Sequence, residues 1–87
     1  MLRKRIIFTG RVQGVGMRFF IFKTAALCGL SGYVKNVSDF VECEAQGGAE
    51  QLEKFLSLVV KTPWPIKIDN MEITDIPVKN ENRFVIL

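Results

Sequence analysis

Histidine is absent from this 87-residue chain. Any mechanism that needs an imidazole base, a phosphohistidine or a Ser-His-Asp triad is therefore excluded. Cysteine is scarce. Cys28 and Cys43 form no CxxC pair and have no histidine to join them, which argues against a zinc site and a disulfide framework and predicts two buried thiols. Only three prolines occur, and no repeat or low-complexity segment, so a disordered or collagen-like chain is ruled out. Apolar runs are short, and the basic start MLRKR leads only into Ile6, Ile7 and Phe8, too little for a signal peptide or a membrane span. Familiar phosphate loops are missing as well. GxxxxGK[ST] does not occur, GxGxxG fails because Phe19 stands where the third glycine belongs, and no cysteine lies six residues before an arginine.

What is present is a compact chain, 48% apolar and 24% charged. It is long enough for one small domain over residues 1–87, burying roughly 60% of the surface the unfolded chain exposes. The net charge of +3 and pI near 9.1 suit an anionic ligand but fall short of a polybasic nucleic-acid arm.

From Arg5 to Gln13, Ile6, Phe8, Gly10 and Val12 alternate with polar residues, which predicts a half-buried strand. A helix is expected from Met17 to Leu30, with Phe19, Phe22, Ala26 and Leu30 on its inner side; Phe20, Ile21 and Leu27 leave the other side apolar too. Tyr33 to Val37 and Phe40 to Gln46 read as a hairpin joined by Ser38 and Asp39, with Glu42, Glu44 and Gln46 expected to face solvent. A second helix, Ala49 to Lys61, carries Leu52, Phe55, Leu56, Val59 and Val60 at helical spacing. Pro63 and Pro65 end it, and Trp64 between them is expected to cap an edge of the core. Strands are expected again at Ile68 to Ile76 and Arg83 to Leu87. The fold class is α+β: a ferredoxin-like βαββαβ sandwich with an additional C-terminal strand, its antiparallel sheet covered by two helices on one face. Many unrelated functions share that architecture, so function must be argued from a site.

GRVQGVGMR, Gly10 to Arg18, is the stretch with chemistry in it. Its glycines lie where the first strand hands over to the first helix, where positive φ costs glycine little and successive N–H groups can turn inward around an anion. The helix N-terminus adds partial positive charge, and Arg18 a permanently charged planar fork. A glycine-rich turn beside a solvated arginine would look the same by these criteria alone. Read this way, the segment argues for anion binding and no further. Lys23 and Lys35 read as solvated lysines, and Arg11, on the polar face of the strand, falls outside the site.

The same segment resembles the signature of the acylphosphatase family, G-x-V-Q-G-V-x-F-R, and GYVKN, Gly32 to Asn36, is similar to that family's second motif, G-[W/Y/F]-V-[R/K]-N. The six matching positions Gly10, Val12, Gln13, Gly14, Val15 and Arg18 would coincide by accident on the order of once in 10^5 chains of this length, so composition alone does not explain the match. The resemblance runs through the proline-bearing loop to the closing Phe84-Val85-Ile86. It implies hydrolysis of an acyl phosphate to a carboxylate and inorganic phosphate, with no metal or organic cofactor. It further implies a phosphate site at Gln13, Gly14, Val15, Gly16, Met17 and Arg18, with Arg18 and Asn36 as catalytic residues and Asn36 orienting the attacking water. A small cytoplasmic monomer acting alone on a small molecule is expected, with no nucleic acid or membrane as partner.

The chemistry is consistent with a chain that lacks histidine. The leaving group is a carboxylate whose conjugate acid has a pKa of about 4, so it departs without a general acid, and positioning plus charge stabilisation remain. Three departures from the family pattern stand out: Met17 replaces phenylalanine, the Ser38-Asp39 turn is one residue short, and Thr62 replaces a loop glycine. Two alternatives stay open. One is a phosphate-binding domain without turnover. The other is an RNA-binding module of the same strand order, for which Phe40 is the only suitable aromatic and Glu42 and Glu44 are unsuitable neighbours.

Overall fold

A computed structural model describes residues 1–87. The elements are β1 (Leu2–Arg11), α1 (Met17–Leu27), β2 (Ser31–Val37), β3 (Phe40–Gly47), α2 (Ala49–Val59), β4 (Lys67–Ile76) and β5 (Phe84–Ile86). They build one five-stranded sheet in the order β4-β1-β3-β2-β5. The first four strands pair antiparallel, whereas β5 runs parallel to β2. The sheet is therefore mixed, because the extra strand enters at the edge opposite β4.

Register puts one residue set of each strand on the helix side. Ile6 faces Cys43 and Phe8 faces Val41 across β1 and β3. These four join Val34 and Ala45 of the sheet, Met17, Ile21 and Ala25 of α1, and Leu52, Phe55 and Val59 of α2 in a single buried apolar cluster. Cys28 and Cys43 are free buried thiols, and burial pushes the Cys43 thiol well above the ordinary range. No helix is long and apolar enough to cross a membrane.

The inward face of α1 differs from the expected one. Met17, Ile21, Thr24 and Ala25 are buried, whereas Phe19 and Ala26 are exposed. Both sides of this helix are apolar, so spacing alone had two solutions. The one adopted includes Thr24, whose hydroxyl donates to the Phe20 carbonyl at 2.8 Å and so enters the core without an unpaired polar group. Phe22 packs on Phe84 of β5, ring centroids 6.4 Å apart. Gln51 joins the two helices by accepting from Gly48 N–H at 2.7 Å and donating to the Cys28 carbonyl at 3.0 Å.

The acidic face of β3 is not solvated either: Glu42, Glu44 and Gln46 are buried. From β4 to β5 the chain must cross four inter-strand steps of ~4.8 Å, about 19 Å. Residues 77–83 can reach little more than about 25 Å, so they run nearly straight across that face. Lys79 exchanges backbone and side-chain bonds with Gln46, and Glu81 meets the Arg3 guanidinium. Beneath this crossing Arg3 Nε donates to Glu44 at 2.8 Å; beside it Arg5 donates to Glu42 at 2.6 Å, and the Tyr33 hydroxyl lies 2.6 and 2.9 Å from the two carboxylates. Burial by itself would raise both carboxyls. Tyr33 and Arg5 at Glu42, and Arg3, Tyr33 and Lys79 at Glu44, outweigh burial and hold the two below the ordinary glutamate range.

Trp64 does not cap the core. It is 83% exposed, with the Arg11 guanidinium 5.5 Å from its ring centroid. A ring flanked by prolines on a surface loop finds a cation there rather than an apolar edge.

Candidate active site

The segment between β1 and α1 makes two left-handed residues in quick succession, Gly14 at φ 72° and Gly16 at φ 85°. At neither would an added Cβ meet an atom within 4 Å, so the backbone angle, not lack of room, is what calls for glycine. The first helical bond of α1 runs from Phe20 N–H to the Gly16 carbonyl at 3.1 Å. The N–H groups of Met17, Arg18 and Phe19 therefore have no partner within the helix, and no acidic side chain sits in the first turn. An anion would satisfy all three.

A cleft of about 220 Å³ opens at this point, lined by Val12, Gly14, Gly16, Met17, Arg18, Phe19, Asn36 and Ile86. Arg18 reaches it from the first turn of α1, and Asn36 from the end of β2. Asn36 is exposed there, beside the two-residue turn in which Ser38 takes φ 54°. Arg18 Nη1 also donates to the Leu87 carbonyl at 3.2 Å, while Leu87 N–H donates to the Val34 carbonyl at 2.9 Å. The residue after β5 thus holds one N–H of the guanidinium, and the other N–H groups of this cleft-lining side chain have no protein acceptor. Met17, in the place where the family pattern has phenylalanine, is 1% exposed and packs beneath the loop.

Of the predicted site residues, Gly14, Gly16, Met17, Arg18 and Asn36 come together around the cleft. Val15 turns back to pack against the core. Gln13 also lies off the cleft lining, and its Nε2 donates to the Ser38 and Phe40 carbonyls, both at 2.9 Å. Lys35 is 3.7 Å from Glu42 on the opposite sheet face, and Lys23 Nζ sits 5.3 Å from the centroid of the Phe19 ring. Sequence reasoning did not pick out the apolar wall, Phe19 and Ile86, which are 58% and 41% exposed. Phe19 could have been found as a large apolar residue next to the candidate anion-binding arginine. Ile86 carried no local signal, because only the parallel pairing of β5 with β2 brings it there.

Known proteins resemble this chain in fold and in sequence. The acylphosphatase family model matches residues 4–86. An acylphosphatase of Clostridium perfringens is 36% identical over 86 residues, covering 97% of each chain. The crystal structure of acylphosphatase from Bacillus subtilis superposes with a TM-score of 0.95 at 37% identity, covering 100% of this chain and 99% of that one. T. kodakarensis HypF superposes at 0.87 and 38% identity over 99% of this chain, which matches 12% of the larger protein. With a family match spanning nearly every residue and a fold to go with it, the chain belongs to the acylphosphatases, hydrolases of acyl phosphates.

Proposed function

We propose that the N–H groups of Gly14 to Arg18 and the Arg18 guanidinium hold the phosphate of an acyl phosphate while Asn36 aims a water at phosphorus. The observation that carries this reading is the meeting of Arg18 from α1 and Asn36 from β2 in one cleft beside two positive-φ glycines. The water oxygen forms a bond to phosphorus as the bond from phosphorus to the acyl oxygen breaks, and the electron pair leaves with the carboxylate. Asn36 is not a base. Its carbonyl oxygen accepts from the water, whose proton passes late to a phosphate oxygen. Arg18 and the amides take up the charge spread over the transferring group. Phe19 and Ile86 offer the acyl portion an apolar wall.

We further propose a single domain over residues 1–87 that works in the cytoplasm as a monomer, with a small-molecule substrate and neither metal nor nucleic acid as partner. The cleft lining presents no carboxylate, thiol or imidazole, which supports a reaction without a metal. The sheet face that an RNA-binding module would use is crossed by Lys79 and Glu81 and lined by Glu42 and Glu44. A second reading is phosphate binding without turnover; it draws support from the match, at 31% identity, to 12% of a full-length HypF solved in a phosphate- and nucleotide-bound form.

Loss of benzoyl phosphate in the presence of EDTA tests both readings. Arg18→Ala should lose affinity and rate together. Asn36→Ala should keep its affinity for inorganic phosphate and lose about a hundredfold in kcat. An inactive wild type that still binds phosphate would leave binding alone, and normal turnover by Asn36→Ala would remove the water-orienting role.

A further inference from the structure

Gln13 sits at the entry to the anion loop, yet its side chain serves another element. Both N–H groups of its amide have acceptors at 2.9 Å, the carbonyls of Ser38 and Phe40, on either side of Asp39 in the β2–β3 turn. We propose that Gln13 is a positioning residue: it clamps the tip of the hairpin to the phosphate loop and so sets where Asn36 stands relative to Arg18. The inference rests on the reading of Asn36 as the residue that orients water.

The turn needs such a clamp for a structural reason. Asn36, Ser38 and Asp39 are all exposed, and the last ladder pair of the hairpin is Val37 opposite Phe40. Beyond that pair no helix packs on the two-residue connection, and Ser38 is held at a positive φ that a non-glycine residue adopts at a cost. Asn36 lies two residues before Ser38 and opposite Val41. Fraying of the turn through that last pair would release Val37 and with it the backbone that holds Asn36, so the Asn36 carboxamide would shift while Arg18, anchored in α1 and to Leu87, stays in place. Two hydrogen bonds from one amide fix both the distance and the angle of the turn, where a single bond would leave it free to rotate. Small displacements of a positioning group are costly in rate because the reacting atoms must meet in one geometry.

A double-mutant cycle reads this directly. Gln13→Met keeps the bulk and removes both donors; it should lower kcat for benzoyl phosphate about tenfold, with the inhibition constant of inorganic phosphate within about twofold of wild type. In the Asn36→Ala background the same change should cost less than about twofold, because the group it positions is already gone. Equal tenfold losses in both backgrounds would overturn the proposal. So would a phosphate constant that rises in step with the loss of kcat, which would make Gln13 a phosphate ligand. Should Gln13→Met melt below the assay temperature, Gln13→Asn, which keeps the amide but falls one methylene short, enters the same cycle. Failure of the water-orienting role itself is distinguishable, since Asn36→Ala alone would then turn over normally.

Discussion

Arg3 offers the sharpest physical test, because its side chain has no solvent exposure and yet carries a charge. Nε donates to Glu44 at 2.8 Å, Nη1 to Gln46 at 3.2 Å, and Nη1 also meets Glu81. Burial works against the charge, but Glu81 and Glu44 outweigh it and raise the Arg3 pKa. In Arg3→Met, Glu44 keeps the Tyr33 hydroxyl at 2.9 Å and Lys79 at 3.3 Å but loses its buried cation. Breaking a buried pair costs about 3–5 kcal/mol. Here a single crossing segment is the cover and Lys79 remains, which brings the expected loss down to about 2 kcal/mol. For a domain of this size that is a fall in Tm of about 10 °C. The dependence on pH has a definite sign. In the wild type Glu42 and Glu44 titrate below the ordinary range, so their contribution is present above pH ~4.5 and is lost as pH falls through the depressed values. In the variant, burial of Glu44 is no longer offset by Arg3. Its pKa rises, and protonation relieves a charge that Lys79 and Tyr33 alone compensate only in part. Melting curves by circular dichroism at pH 7 and pH 4 should therefore show a large gap between variant and wild type at pH 7 and a smaller one at pH 4. A variant within 3 °C of wild type at pH 7, or a gap that does not narrow at pH 4, would refute the reasoning. These thresholds follow from about 4–8 °C per kcal/mol.

Two further outcomes are expected. Phe19→Ala should lower kcat/KM for benzoyl phosphate about fivefold, the scale of one aromatic contact, and leave acetyl phosphate nearly unchanged; parallel losses on both substrates would remove the acyl wall. Gly16→Val forces a β-branched residue to φ 85° and should cost roughly 1–2 kcal/mol in denaturant unfolding while weakening phosphate inhibition, whereas Gly16→Asn, a residue that visits the left-handed region, should retain most of both. If Val and Asn behaved alike, the backbone argument for Gly16 would fail.

Much of the fold was legible because strand alternation and helical spacing are local. The pattern of β1 around Ile6 and Phe8, the two-residue turn at Ser38 and Asp39, and the buried face of α2 at Leu52, Phe55 and Val59 all follow from neighbours in the chain. The cleft residues on the loop, Gly14, Gly16, Met17 and Arg18, were legible for the same reason, and Asn36 through the family's second motif. What was misread depends on partners distant in sequence. α1 has apolar residues all round, so its orientation was settled only when Met17, Ile21 and Ala25 joined the sheet residues in the core and Phe22 found Phe84.

The alternating and helical patterns thus determined the element order and the core set of the strands, and the glycines marked the turn between β1 and α1, since each is encoded within a few residues. Tertiary structure alone decided that Glu44 and Gln46 are buried beneath residues 77–83, that Ile86 walls the cleft, and that Gln13 reaches the hairpin rather than the cleft. Each of those depends on where β5 and the β2–β3 turn come to rest, and a contact between segments far apart along the chain leaves no periodic trace in either one.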